Sequence, residues 1–318
     1  MSKRIFIAQP LRATVMLLLC LALAVVAATG GSYWLRLAST AAMYVVLASS
    51  WNIVGGFTGY PSFATAAFFG LGAYVAAIAQ TRGLPMAASW VAAGLFTAAC
   101  AFALGLALLR LKGHYFAVGS LVVAEVLREI MAAGGTLTGG GMGLNLPLLS
   151  MAPQAIGRLY LAAFAVLAVA SVLLSWAVLR SRFGAGLACI EQNEDAAVML
   201  GVNTTLYKSA ALALSALLAG LAGAVYANWI NYIDPGDVFN VLLSVKPIVM
   251  ALLGGIGTLT GPVIGAVGLV GLEEIVTRSF LDLTGVVLGL AVVALVLFLP
   301  HGVNGLAFMG RSLKGRQP

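Results

Sequence analysis

From Leu159 to Leu179 the chain carries no charged residue, and the run delivers it to the basic Arg180 and Arg182. An apolar stretch of this length reads as a membrane-crossing helix, because about 20 helical residues span the hydrocarbon of a bilayer. Comparable runs recur along the sequence. They cover about Ala13–Ala28, Leu37–Val54, a third reaching Gln80, a fourth from Ala87 to Arg110 and Lys112, and Val286–Leu299. The Gly113–Met131 run and the two halves around Gly254–Gly265 add shorter segments. In lipid, backbone polar groups must be satisfied within the protein, so these segments are expected to be helices.

Composition agrees with that reading. Of 318 residues, 62% are hydrophobic and 8% charged, and the mean hydropathy is +1.05, whereas a soluble domain carries about 25% charged residues. No polar stretch is long enough to form a separate domain, so residues 1–318 are read as a single transmembrane domain. A net charge of +7 would point to nucleic acid in a soluble protein. Here the basic residues fall mostly at the ends of apolar runs, where the positive-inside rule accounts for them, and lipid rather than nucleic acid is the expected partner. Cys20, Cys100 and Cys189 lie far apart, with no disulfide or metal spacing. Lys3, Arg4 and Arg12 precede a first run at the long edge for a secretory signal, and further spans follow at once, so it reads as a retained helix.

The longest polar, charge-bearing insert follows Leu179 and occupies residues 180–208. Within it Asn193 can cap a short helix, Glu194 and Asp195 occupy the first turn where the helix dipole favours acids, and Gly201 fits the C′ position. Asn203 can cap the helix that follows. A helix of about seven residues is not stable alone in water, so it is expected to dock, either on its own protein or on another subunit.

Two stretches predict broken helices. Asn52-Ile53-Val54-Gly55-Gly56-Phe57-Thr58-Gly59-Tyr60-Pro61-Ser62 and Gly254-Gly255-Ile256-Gly257-Thr258-Leu259-Thr260-Gly261-Pro262 place glycine and proline inside apolar sequence. Backbone groups freed there must be covered by protein or face water. Asn52, Thr58, Ser62 and Gly255 are therefore candidates for lining a path. Glu125, with Arg128 and Glu129 three and four residues on, is either a path residue or half of a structural ion pair. Thr138-Gly139-Gly140-Gly141-Met142-Gly143 lacks the Lys-Ser/Thr ending of a phosphate loop and predicts a tight extracytoplasmic turn. In the helix after the insert, Ser215, Ala219 and Gly223 form a small-residue face.

These strings resemble one family. Arg180-Ser181-x-x-Gly184, Ala188-x-Ile190-Glu191-x-Asn193-Glu194-x-Ala196-Ala197, Leu200-Gly201-Val202-Asn203 and Tyr207-Lys208 look like the coupling segment of branched-chain amino-acid ABC importer permeases. Phe68-x-Gly70-x-Gly72-Ala73-Tyr74 and the Gly254–Ala266 string are similar to other blocks of that family. Where many members carry Gly-Gln-x-Ser-Leu-Gly-His, this chain has Gly59-Tyr60-Pro61-Ser62-Phe63-Ala64-Thr65.

The resemblance implies an all-α polytopic bundle of about ten transmembrane helices, or eight if a segment is re-entrant. It implies a bacterial inner-membrane location with both termini cytoplasmic. ATPase coupling would fall on Arg180, Gly184, Glu191, Asn193, Glu194, Asp195, Ala197 and Gly201. The implied partners are two ATP-binding cassette subunits that use the ATP, a second related permease and a periplasmic solute-binding protein. The implied substrate is a branched-chain or related amino acid, with urea or short amides carried by relatives. No cofactor, metal or catalytic residue is expected. His114 and His301 are the sole histidines, and neither a Gly-x-Ser-x-Gly elbow nor a nucleotide loop is present. The competing reading is an ion-coupled secondary transporter with Glu125 as the titrating group.

Overall fold

The computed structural model describes residues 30–279, apart from Arg110 and Lys112, together with the isolated Gly289. The spans expected at Ala13–Ala28 and Val286–Leu299, and His301, lie outside the described residues.

Helix α1 (Ser32–Trp51) passes directly into a π-helical turn, Asn52–Gly56. An irregular segment then leads to α2 (Thr65–Thr81), followed by α3 (Met86–Leu108) and α4 (His114–Ala133). A one-turn helix α5 (Gly135–Thr138), a 3-10 turn (Gly140–Met142) and the short strand β1 (Leu144–Asn145) precede the long α6 (Pro153–Arg180). The polar insert folds as α7 (Arg182–Gln192) and α8 (Glu194–Met199), and α9 (Thr204–Ile230) returns across the bundle. Strand β2 (Tyr232–Ile233), the single turn α10 (Pro235–Val238), α11 (Leu242–Gly254) and α12 (Gly261–Ser279) complete the description.

Five of these stretches are long and apolar enough to cross a membrane: Ser32–Gly56, Met86–Leu108, Pro153–Arg180, Thr204–Ile230 and Pro235–Gly254. Helix α2 is apolar but short. Helices α4 and α12 have the length but carry three charges each: Glu125, Arg128 and Glu129 on one, Glu273, Glu274 and Arg278 on the other. Among the described residues the molecule is thus predominantly helical, with the build of a multi-pass integral membrane protein. Its one sheet among the described residues is the antiparallel β1–β2 pair, in which Leu144 faces Ile233. Gly143, at φ 72°, lets the glycine-rich turn lie against the Ile233 carbonyl, where a Cβ would collide.

Lipid offers no hydrophobic drive between helices, so their contact depends on close van der Waals fit. The small-residue face of α9 supplies it. Gly223 lies against the Phe69 carbonyl of α2, and Gly220 lies against Gly72 of α2 and Thr97 of α3. Helices α2 and α9 therefore meet backbone to backbone and α3 closes on them through Thr97, with Ala219 and Ala222 of α9 buried. Helices α11 and α12 form an equally tight antiparallel pair, Gly254 against the Gly261 carbonyl and Gly265 against the Met250 carbonyl.

Replacing Gly223 with Leu forces α2 off α9, and overpacking of this kind costs about 1–3 kcal/mol. We expect a clear drop in the melting temperature of the detergent-purified protein. Gly268→Ala, which enters open space, is expected to leave it unchanged.

Candidate functional site

The polar insert is built from three successive caps. Ser181 accepts a hydrogen bond from the Gly184 amide and starts α7, Asn193 accepts from Ala196 and starts α8, and Asn203 accepts from Leu206 and starts α9. The second and third caps, the acidic first turn and the positive φ of Gly201 (83°) match the expectation from sequence. Helix α7 was not anticipated; its signal is Ser181 followed three residues later by a glycine whose amide it caps. Gly184 turns tightly against the Val178 carbonyl, and Gly186 lies beneath the Tyr207 ring, which stacks on Phe183 at 5.4 Å. Arg180 lies over the Trp176 ring at 4.4 Å.

The acids of this segment point in different directions. Glu191 is exposed and runs alongside Gly59. Asp195 is exposed. Glu194 turns inward and pairs with Lys208 of α9 at 2.6 Å, and Tyr60 donates its hydroxyl to the same carboxylate. The Lys208 side chain is 1% exposed. Its ammonium lies 4.2 Å from the centre of the Tyr60 ring and 3.4 Å from the Leu109 carbonyl at the end of α3. One buried cation therefore ties together α8, α9, α3 and the segment that follows the π turn. Ala197 is buried, whereas Val198, Met199 and Leu200 at the far end of α8 are exposed.

Burial opposes ionisation of Glu194, but hydrogen bonds from Lys208 and Tyr60 prevail and hold its carboxyl below the usual 4.5. Burial and the adjacent carboxylate push the Tyr60 phenol up, so it stays protonated and donates.

A few residues away, the two broken helices are locked to each other. The Asn52 amide donates to the Thr258 carbonyl and accepts from the Gly257 amide, both at 2.9 Å. Gly56 must lack a Cβ, because Asn52 Oδ1 fills that space. Thr58 donates back to the Val54 carbonyl, and Trp51 donates to the Ser62 carbonyl at 2.8 Å. The irregular residues before α2 are covered in the same way. Ser120 accepts from the Phe63 amide, while Ser244 donates to the Phe63 carbonyl and accepts from the Ala66 amide. Gly255, at φ 113°, ends α11 and accepts from Thr258. Of the five residues expected along a path, Asn52, Thr58, Ser62 and Gly255 thus gather in or beside one buried joint. Glu125 lies apart on α4, exposed and paired with Arg128.

Tyr60 and Lys208 were legible only as parts of strings. Fourteen residues separate Lys208 from Glu194, a spacing that no helix period brings together.

A bundle of apolar helices, two of them broken and pinned together, with a capped polar segment anchored at its base, has the build of a membrane permease. The chain belongs to the family described as branched-chain amino acid transport system / permease component, which matches residues 33–298. It is 27% identical over 309 residues to the high-affinity branched-chain amino acid transport system permease protein LivM of Salmonella typhimurium, covering 88% of this chain and 72% of that one. Identity to LivM of Escherichia coli is 26% over 295 residues, covering 84% and 69%. A shorter match, 38% over 91 residues, links 27% of the chain to 28% of the nucleoside ABC transporter permease protein NupC of Lactococcus lactis. No solved structure matches. The protein is a transport subunit and not an enzyme.

Asn52→Leu removes both hydrogen bonds across the joint, to the Gly257 amide and the Thr258 carbonyl, and a buried group left unsatisfied costs about 1–3 kcal/mol. The expected result is a lowered melting temperature and faster protease cleavage between Gly254 and Gly261. The Glu194–Lys208 pair has its own signature. Because the folded carboxyl titrates below its ordinary value, the pair's stabilisation is complete above about pH 4.5 and is lost as pH falls through the lowered value. Glu194→Gln should therefore cost stability at pH 7 and cost little once the wild-type carboxyl is protonated, as read by melting curves across pH.

Proposed function

We propose that this chain is a transmembrane permease of an ATP-driven importer for branched-chain or related amino acids, seated in a bacterial inner membrane. Two separate ATP-binding cassette subunits hydrolyse the ATP. A second related permease completes the bundle, and a periplasmic solute-binding protein delivers the solute. About ten spans, eight if a segment is re-entrant, bring both termini to the cytoplasmic side of a single domain. The relatives named for branched-chain amino acid transport support the substrate class.

The observation that carries this reading is the two-ended character of α8. Its base is fixed by Glu194 to Lys208 and Tyr60, while its tip presents Val198, Met199 and Leu200 to solvent. Apolar side chains on a short capped helix suit insertion into a cleft on another subunit. A fixed base suits transmission of force. Closure of the ATPases displaces α8, Glu194 and Tyr60 carry the displacement to residues 57–63, and the Asn52 joint passes it to α11 and α12. Alternating access follows as these helices tilt against the rigid α2–α3–α9 group. Asn52, Thr58, Ser62, Gly255 and Glu125 remain our candidates for lining the path in a more open conformation. The secondary-transporter alternative needs a buried titratable residue coupled to substrate, and Glu125 is exposed and paired with Arg128.

Two variants separate docking from transmission. Met199→Asp with Leu200→Asp is expected to abolish co-purification of the ATPase subunits while leaving membrane insertion intact. Lys208→Met is expected to keep the ATPases bound and hydrolysing, yet to lower ATP-driven uptake about tenfold or more, consistent with the cost of breaking a buried pair. Uptake that persists without bound ATPases and collapses with a proton uncoupler would overturn the importer reading.

A further inference from the structure

Lys246 stands apart from the other charges of the five candidate spans. Among their described residues, every other charged side chain lies within six residues of a span's end, where it can reach the interface. Lys246 does not. It pairs with Glu273 of α12 at 2.7 Å, and its ammonium lies 5.7 Å from the centre of the Tyr44 ring on α1. Tyr44 is the middle residue of the Ser32–Gly56 span, with twelve residues on either side, so each end is about 18 Å away at the helical rise. Two residues before Lys246, Ser244 holds the start of α2 inside the bundle. The Lys246 ammonium is therefore level with the middle of that span, while Glu274, next to Glu273, pairs with Tyr33 toward its start.

The pair is not fully enclosed: 23% of the Lys246 side chain and 32% of Glu273 are exposed. Charge at this depth does not face lipid; it faces a bundle interior or a water-filled path, and transporter sites lie near the midplane. The bonding capacity is also larger than the pair uses. An ammonium has three N–H groups and a carboxylate about four acceptor positions, while one hydrogen bond joins the two. One residue on, Pro247 lacks an amide hydrogen, which leaves the Leu243 carbonyl without its helical donor. Leu243 and Val249, a turn away on either side of Lys246, add part-buried hydrocarbon.

We propose that Lys246 and Glu273, backed by Tyr44, form a transit site for the charged end of a zwitterionic α-amino acid. The ligand carboxylate binds Lys246, its α-ammonium binds Glu273 and the Leu243 carbonyl, and its side chain lies along Val249. When the site is empty the two residues neutralise each other, so neither is left as an unpaired charge in lipid. A zwitterion converts one ion pair into two without changing the net charge. This assignment rests on the amino-acid reading given above.

The test uses the assembled importer in nanodiscs without its solute-binding protein, titrated calorimetrically with L-leucine, leucinamide and 4-methylpentanoate. The two analogues lack the free carboxylate and the ammonium, respectively. We expect wild type to prefer leucine over each by about tenfold or more, the effect of leaving a buried charge without its partner. Lys246→Met should erase the preference over leucinamide alone, and Glu273→Gln the preference over 4-methylpentanoate alone. A merely structural pair would instead weaken all three ligands equally in both variants, and that result overturns the proposal. If either variant fails to assemble, Val249→Trp, which leaves the charges in place, should weaken leucine about tenfold by crowding the face assigned to its side chain; unchanged binding there overturns it too. A complete wild-type importer that carries leucine but shows no binding in this assay also overturns the site. A complete importer that carries no branched-chain amino acid overturns the substrate reading instead.

Discussion

An ammonium group sealed inside a membrane protein must be answered by its surroundings, and Lys208 is answered from three sides. A carboxylate, an aromatic face and a helix-ending carbonyl converge on it from α8, the residues after the π turn, and α3. Removing one partner of a buried pair costs about 3–5 kcal/mol, because the remaining charge has nowhere to be solvated. That penalty makes the junction selective about geometry. If α8 moves, Glu194 moves with it, and the other groups must follow or leave a cation bare. A polar contact in an otherwise apolar bundle thus acts as a stiff connection between elements that lipid-facing packing alone would leave free to slide.

The rest of the bundle divides into parts that are rigid for different reasons. Helices α2 and α9 are held by contact of backbone with backbone at Gly72, Gly220 and Gly223, and the short Thr97 side chain of α3 packs against Gly220. The Asn52 joint is held by two hydrogen bonds across a gap between irregular segments. Hydrogen bonds can exchange partners, whereas a glycine contact either fits or fails. The arrangement therefore places its capacity to rearrange at the broken helices and its stiffness along α9. Serine and tryptophan side chains hold the backbone at Ser62 and Phe63, in the irregular segment before α2.

Much of this was legible in the chain. Among the described residues the apolar runs gave helices, though α1 and α6 begin five and six residues before the runs, and Asn193, Gly201 and Asn203 marked α8 and its exit because capping is local chemistry. Glycine and proline located both breaks. Pattern could not reveal which side of α8 is inward: Glu194 and Asp195 are adjacent acids in one helical turn, and only the distant Lys208 distinguishes them. Nor could it show that Asn52 answers Gly257 across roughly two hundred residues of sequence. The pairing of Lys246 with Glu273 is hidden for a related reason, since 27 positions separate them until α11 and α12 are folded against each other. Local signals report backbone state, whereas pairing between distant polar side chains depends on tertiary register.

The bare tip of α8 also has a consequence for the life of the unassembled protein. Val198, Met199 and Leu200 extend from a polar segment into solvent, on a helix of barely two turns. On the importer reading proposed above, another subunit would cover them; a chain lacking that subunit would keep this hydrocarbon exposed, the kind of surface that chaperones and proteases engage.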